Sequence, residues 1–274
     1  EAYVNWSIGF DESDIKLTLL RNESPHQLLI GLNKIKHSGL IVFSSGSSGR
    51  PKAMLHDLDN LLSAFNDKKA RSTSVTLVFL MFDHLGGLNT LFHILTSGSH
   101  AVIPKTRTAE GVAKLIEVHK VNLLPTSPTF LNILMLSGAS KLYDLSSIKL
   151  ITYGTEPMPQ SVLTRAQETF CNSKFLQTFG TSETGVARTK SKSSDSTKIK
   201  FEDINNEIKV VDGELWIKSQ TQILGYLNAS MEQFTDDGWF KTGDMVDLGN
   251  DGFMTIKGRR TEMINIGGEK VLPG

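Results

Sequence analysis

Gly39-Leu40-Ile41-Val42-Phe43-Ser44-Ser45-Gly46-Ser47-Ser48-Gly49-Arg50-Pro51-Lys52 carries an apolar run straight into a loop of hydroxyls and glycines. The apolar half reads as a short buried strand. In the other half, glycine lets backbone N–H groups approach phosphate oxygens closely, serine hydroxyls add donors, and Lys52 adds positive charge. Ser44, Ser45, Gly46, Ser47, Ser48, Gly49 and Lys52 are therefore a candidate phosphate cradle. An inert turn, a flexible Ser/Gly linker and a tag remnant are competing readings. The position between an apolar strand and a helix expected over 56–65 argues against the last two. A Walker-type P-loop needs Ser or Thr after its lysine, and Ala53 follows Lys52, so an unrelated P-loop NTPase is disfavoured.

Working outward, Leu28, Leu29, Leu32 and Ile35 stand at helical spacing and predict a helix over 25–36. After the loop, Leu58, Leu61, Leu62 and Phe65 predict the helix at 56–65. Strands are expected at 75–81, 100–103, 121–124, 149–153 and 175–178. Helices are expected between and after them, at 88–96, 109–119, 128–137 and 159–170. This alternation predicts an α/β fold with a largely parallel sheet covered by helices on both faces. Beyond about residue 188 the texture changes. Segments 208–211, 214–218 and 253–256 are short, and Asp212-Gly213, Asp237-Gly238 and Asp251-Gly252 separate such runs. That pattern predicts a small antiparallel β-rich subdomain. The expected organisation is an α/β subdomain at 1–187 and a β-rich one at 188–258. The serine- and lysine-rich stretch 188–200 reads as a solvated loop.

The bulk numbers narrow the function classes. In 274 residues, 39% are hydrophobic, and Lys plus Arg equals Asp plus Glu at 29 each. No overall field draws the chain to nucleic acid or an anionic membrane. Apolar runs near 40–43 and 75–82 are too short to span a bilayer, and the amino terminus lacks a signal-peptide pattern. Cys171 is the single cysteine, so no intrachain disulfide is possible, which fits a cytoplasmic location. It reads as a small half-buried residue rather than a nucleophile.

Three further loops can carry chemistry. Phe179-Gly180-Thr181-Ser182-Glu183-Thr184 follows an expected strand, where α/β sheets bind ligands. Glu183 among hydroxyls suits a magnesium ion that also touches phosphate, although the same residues suit a capped helix amino terminus. Gly154-Thr155-Glu156-Pro157 follows another strand, or is an ordinary strand-to-helix turn. Lys241-Thr242-Gly243-Asp244 and Gly258-Arg259-Arg260 offer a carboxylate and a guanidinium to ribose hydroxyls, or form surface salt bridges.

In this order the strings SSGSSGRPK, MFDHLGGLN, ITYGTEPMP, LQTFGTSETG, GELWIKS, GWFKTGDMVD and GRRTEMINIGGEKVLPG resemble the adenylate-forming superfamily. This superfamily holds acyl-CoA synthetases, peptide-synthetase adenylation domains and beetle luciferases, and the wording is similar to its acyl- or aryl-CoA ligase branch. The resemblance implies ATP-dependent activation of a carboxylic acid to an acyl adenylate, with pyrophosphate released. Transfer to coenzyme A or to the phosphopantetheine of an acyl carrier protein follows. It implies that Ser44 to Lys52 hold the ATP phosphates. Gly154, Thr155, Glu156, Pro157, Thr178, Phe179 and Gly180 surround the adenine, with Phe179 where a tyrosine is usual. Ser182 lies near the α-phosphate, Glu183 engages Mg2+, and Asp244 and Arg259 hold the ribose. His84 and Gly180 border the acyl pocket. Lys52, His84, Ser182 and Glu183 are the implied catalytic set. A buried structural histidine is the competing reading of His84. The resemblance further implies a hinge region at 259–274, with Thr261 at its start, leading to a mobile carboxy-terminal domain that this chain lacks. The expected chain is thus an amino-terminal fragment that binds nucleotide and turns over weakly. The alternative is a non-catalytic nucleotide- or acyl-binding module.

Overall fold

A computed structural model describes residues 6–11, 14–19, 26–44, 50–65, 73–202, 205–266 and 269–271. Its central layer is a five-stranded parallel sheet in the order His100–Val102, Val75–Leu77, Leu123–Thr126, Leu150–Tyr153, Lys174–Gln177. Leu124, Ile151 and Phe175 are register neighbours, and all three are buried in the core. Helices Ala109–His119, Pro128–Leu136 and Gln160–Thr169 bury Val112, Ile116, Leu131, Leu134, Leu163 and Ala166 against them. Each fully buried Leu or Ile contributes about 1.5–3 kcal/mol. The helix starts are written locally. The Thr108 side chain accepts from the Gly111 N–H, and Ser127 accepts from Phe130 N–H with Pro128 in the first turn. Because successive parallel strands run the same way, the segments that follow them gather at one edge. That edge carries 78–84, 127, 154–159 and 178.

The α/β expectation therefore holds, but its first part is built differently. Gly39–Ser44, Lys52–Asp57 and Gly225–Tyr226 form a three-stranded antiparallel sheet with Lys52–Asp57 in the middle. Residues 52–57 are a strand where the sequence predicts a helix from 56. The helix is Leu58–Ser63, and Asp57 caps it by accepting from Asn60 N–H. The reason is burial on both faces. Met54 enters one apolar cluster with Val42, Leu61 and Leu85, while Ala53 and Leu55 enter another with Leu32 and Leu227. The strands on either side of the Ser/Gly stretch therefore pair with each other, and the stretch does not lead from a strand into a helix. Ser44 and Lys52 are register partners at its base. Ser45, Gly46, Ser47, Ser48 and Gly49 lie outside the described residues.

The β-rich part is a six-stranded antiparallel sheet in the order Thr189–Ser191, Lys198–Phe201, Met254–Arg259, Phe240–Leu248, Glu214–Ser219, Asn206–Val211. Ile199, Leu215, Ile217, Val246 and Met254 are its buried core. Asp212 and Gly213 have φ of 50° and 77°, as a two-residue type I′ hairpin requires. The stretch 188–200, expected to be a solvated loop, instead supplies an edge hairpin. Lys190 and Lys192 there pair with Glu202 at 3.6 Å and Asp251 at 2.8 Å on the surface.

Other departures are smaller. Trp6–Asp11 and Asp14–Leu19 form a hairpin in a region the sequence reading left unassigned. The strand expected over 75–81 stops at Leu77, and Met81 and Phe82 are exposed. Cys171, expected to be half-buried, is exposed in the turn after Gln160–Thr169. Ile264–Ile266 pairs with Glu269–Val271.

The loop 78–84 folds tightly onto the helix Leu85–Ser97. A Cβ on Gly87 would lie 1.9 Å from Met81 O, whereas one on Gly86 meets only Leu80 Cδ1 at 3.5 Å. Gly87→Ala is expected to destabilise the chain by about 3 kcal/mol. Gly86→Ala should be neutral or stabilising by up to about 1 kcal/mol, since alanine favours helix. Urea unfolding of the two variants beside the parent checks the contrast.

Candidate nucleotide site

The strand-end loops touch one another. Thr178 donates its N–H to Tyr153 O at 2.7 Å, and its hydroxyl donates to the same oxygen at 3.1 Å. A Cβ on Gly154 would come within 2.6 Å of Thr178 Oγ1, so only glycine lets these segments close. Thr155 sits at φ 72°, a left-handed conformation unusual for a branched residue. Glu156 accepts from Thr129 N–H at 2.7 Å and from its hydroxyl at 2.8 Å, in the first turn of Pro128–Leu136. Much of its charge is thereby committed to a helix start. Phe179 is buried, with its ring centroid 5.5 Å from that of Phe201. Beneath these loops Thr126, Tyr153 and Gln177 form the last rung of the sheet. Their Oγ1, OH and Oε1 atoms are buried without a hydrogen-bond partner among the described residues.

Beyond Phe179 the chain turns back on itself. Phe179–Thr181 pairs with Gly185–Ala187, so Ser182, Glu183 and Thr184 are a hairpin turn, and the helix-start reading does not apply. Backbone contacts at Gly180 are close, since a Cβ there would lie 2.7 Å from Gly185 O. The turn is held from three directions. Ile223 N–H donates to Glu183 O at 2.8 Å, the Thr221 hydroxyl donates to Thr184 O at 2.9 Å, and His56 Nε2 donates to Ser182 O at 2.9 Å. His56 is fully buried, and burial holds its pKa below the usual histidine value, which keeps the ring neutral.

Glu183 meets Lys52 through a third residue. The Tyr226 hydroxyl donates to Glu183 Oε1 at 3.0 Å, and Lys52 Nζ lies 5.0 Å from the centre of the Tyr226 ring. This is cation–π range. Tyr226 is buried, and desolvation, followed by the Glu183 charge, drives its pKa up, so it stays a donor. Asn228 secures the stem next to Lys52. Its Oδ1 accepts from Ala53 N–H at 2.8 Å, and its Nδ2 donates to Pro51 O at 2.9 Å. Sequence reasoning missed His56, Tyr226 and Asn228. They sit 126, 43 and 175 residues from the partners that give them meaning, and no local motif marks them.

His84 stands at the same sheet edge, before the helix Leu85–Ser97, without a side-chain capping bond. Its side chain is 70% exposed and 3.7 Å from the Asp83 carboxylate, so the buried-histidine reading fails for His84.

Asp244 and Arg259 are register partners on neighbouring strands, joined at 2.9 Å from Nε to Oδ1. Arg259 also donates to Thr242 O at 2.9 Å. Asp244 is buried, and Val246, two residues along the strand, packs in the cluster that contains Phe179. Beside the pair, buried Glu214 accepts from Gly243 N–H at 2.9 Å and from Arg260 Nη1 at 3.0 Å. Thr261 lies in the exposed 3-10 turn Arg260–Glu262. Desolvation raises the Asp244 carboxyl to about 6 from an ordinary 3.8, against the opposing pull of Arg259. The folded chain then binds more protons than the unfolded one between those values. Stability present at low pH is lost as pH rises through about 6. Asp244→Asn should remove this dependence. The stability difference between variant and parent is expected to shift by about 2–3 kcal/mol in the variant's favour from pH 4 to pH 7.5. Thermal unfolding of both chains across that range measures it.

The sequence pattern of the AMP-binding enzyme family matches residues 22–227. The chain is 27% identical over 260 residues to "4-coumarate–CoA ligase-like 9" of Arabidopsis thaliana, covering 85% of this chain and 46% of the relative. It is 28% identical over 258 residues to 2-succinylbenzoate–CoA ligase of Bacillus licheniformis, covering 85% and 52%. The o-succinylbenzoate CoA synthetase of Bacillus subtilis, solved with its acyl-adenylate intermediate, aligns with a TM-score of 0.70 at 25% identity over 85% of this chain and 51% of that one. The anthranilate CoA ligase AuaEII, solved with anthranoyl-AMP, shares the fold with a TM-score of 0.71 at 22% identity over 85% and 49%. The chain spans about half the length of these relatives. A match over residues 22–227, on a fold that gathers the strand-end loops at one edge, makes this chain a member of the AMP-binding enzyme family.

Proposed function

We propose that this chain forms the nucleotide- and acid-binding part of an enzyme that activates a carboxylic acid with ATP and passes the acyl group to a thiol. The observation that carries this reading is the meeting of Lys52 and Glu183 across Tyr226, beside the strand-end loops. A basic loop stem and an acidic turn then flank the place where a triphosphate fits.

The chemistry has one central difficulty. A carboxylate must reach the α-phosphorus while both partners are anionic. Lys52 and the backbone of the Ser/Gly loop neutralise charge on the β- and γ-phosphates. The substrate carboxylate oxygen bonds to the α-phosphorus as the bond to the bridging oxygen breaks and pyrophosphate leaves. His84 borders the acid's carboxylate end, and Ser182 borders the α-phosphate. The loops 154–157 and 178–180 enclose the base. Asp244, ionised above about pH 6, accepts from the ribose hydroxyls while Arg259 donates to them. Glu183 fits Mg2+, because only its Oε1 carries a hydrogen bond among the described residues and a carboxylate is a hard oxygen donor. When bound, that ion supplies positive charge to the phosphates. The CoA-ligase relatives favour coenzyme A over a carrier protein as the thiol. The lone Cys171 fits a cytoplasmic setting.

Non-reactive acyl-adenylate analogues from a panel of fatty and aromatic acids should stabilise this chain. At saturation the best is expected to raise the melting temperature by about 5 °C or more. No rise with any analogue overturns the reading. ATP–pyrophosphate exchange by the full-length gene product with the matching acid then separates a ligase, which exchanges, from a binding module, which does not.

A further inference from the structure

We infer that Tyr226 is a positioning residue, which fixes the Glu183 carboxylate for a divalent cation and couples it to the stem of the Ser/Gly loop. This rests on the nucleotide-site reading above. Three observations carry it. The first is the hydrogen bond itself. Tyr226 donates to Glu183 Oε1 at 3.0 Å, and a second acceptor, Gln233 Oε1, is more distant at 3.4 Å. A phenol has one proton to give, and the shorter contact with a charged acceptor takes it. One carboxylate oxygen is thereby occupied, and Oε2 has no hydrogen-bond partner among the described residues.

The second observation is how rigidly the phenol is mounted. Tyr226 is buried in an apolar cluster with Val42, Met54, Leu61, Leu85 and Ile223. Its strand pairs with Lys52–Asp57 through Gly225 with Leu55 and Tyr226 with Met54. Bonds from Leu224 N–H to Leu55 O and from Leu227 N–H to Ala53 O, both at 2.8 Å, extend that pairing on either side. The ring cannot shift without taking the loop stem with it.

The third is the position of Lys52, whose ammonium lies over the same ring at 5.0 Å. One side chain therefore sets the acidic turn by its hydroxyl and the basic stem by its face. A partner that orients a metal-side carboxylate typically changes metal affinity by about 10- to 100-fold when removed.

Tyr226→Phe tests this, because it deletes only the hydroxyl. The readouts are melting temperature without nucleotide and the Mg2+ concentration needed for half-maximal ATP binding, by calorimetry on this chain. The expected result is a Mg2+ midpoint raised about tenfold or more, with ATP binding in EDTA unchanged. Glu183→Gln should lose the Mg2+ response, and adding Tyr226→Phe to it should change nothing more. An unchanged midpoint in Tyr226→Phe overturns the inference, as does equal weakening with and without Mg2+, which marks a purely structural role. If Tyr226→Phe melts too early to assay, Gln233→Leu replaces it. Removing the competing acceptor should leave the midpoint unchanged or lower it, and a rise overturns the inference. A parent chain that binds no ATP fails the nucleotide-site reading itself, before any variant is compared.

Discussion

The Tyr226 hydroxyl on the Glu183 carboxylate is the contact on which the site's assembly turns. The residues with chemistry in them come from separate sheets, and unlike charges from separate sheets tend to collapse onto one another. A direct ion pair at about 4 Å is worth about 4 kcal/mol at an effective dielectric near 20. Such a pair would spend both charges on each other. Placing a phenol between them gives Lys52 a π face and Glu183 a donor, and neither forms a salt bridge among the described residues. Both groups are held close to one place without an ion pair between them, which the nucleotide and cation proposed above would require.

The second constraint is steric. The parallel sheet brings its strand ends to one edge, but the loops there must approach more closely than side chains allow. Gly154 against Thr178 and Gly180 against Gly185 solve that locally. The turn after Gly180 then receives hydrogen bonds from three residues on two other segments, His56 on one and Thr221 and Ile223 on the other. The buried core beneath supplies the stiffness. The uppermost rung of Thr126, Tyr153 and Gln177 buries side-chain oxygens that have no hydrogen-bond partner among the described residues.

Legibility in the sequence followed the range of the forces involved. The helix Ala109–His119 was readable to the residue, because Thr108 caps it and Val112, Ala113 and Ile116 fall on one face. The turn at Asp212-Gly213 was readable because its φ angles demand those residue types. The strand Lys52–Asp57 was not, since Ala53, Met54 and Leu55 alternate between two apolar clusters and so show no apolar–polar alternation in the sequence, while helical spacing begins right after. The Trp6–Leu19 hairpin was within reach, because apolar residues alternate through Trp6, Ile8 and Phe10 and again through Ile15, Leu17 and Leu19. The loop types at the site were visible as strings, yet which groups face each other was not. His56 looks like a helix residue in the sequence and is a buried strap in the fold. His84 looks like a candidate for burial and is exposed.

Asp244 shows how the two levels combine. By sequence it is one aspartate in a short string, no different from a surface ion-pair partner. In the fold it is buried while Arg259, its partner, keeps its side chain 52% exposed. Water therefore weakens the guanidinium's attraction, but the carboxylate still bears its desolvation, and its pKa rises instead of falling. A carboxylate in that condition is under-solvated when charged, and two hydroxyl donors would relieve it. On the nucleotide-site reading proposed above, ribose hydroxyls at Asp244 would stabilise the ionised form, and nucleotide binding near pH 6 would release a proton from this residue. The same burial that makes the ionised Asp244 costly in the fold would make it a strong acceptor for such donors.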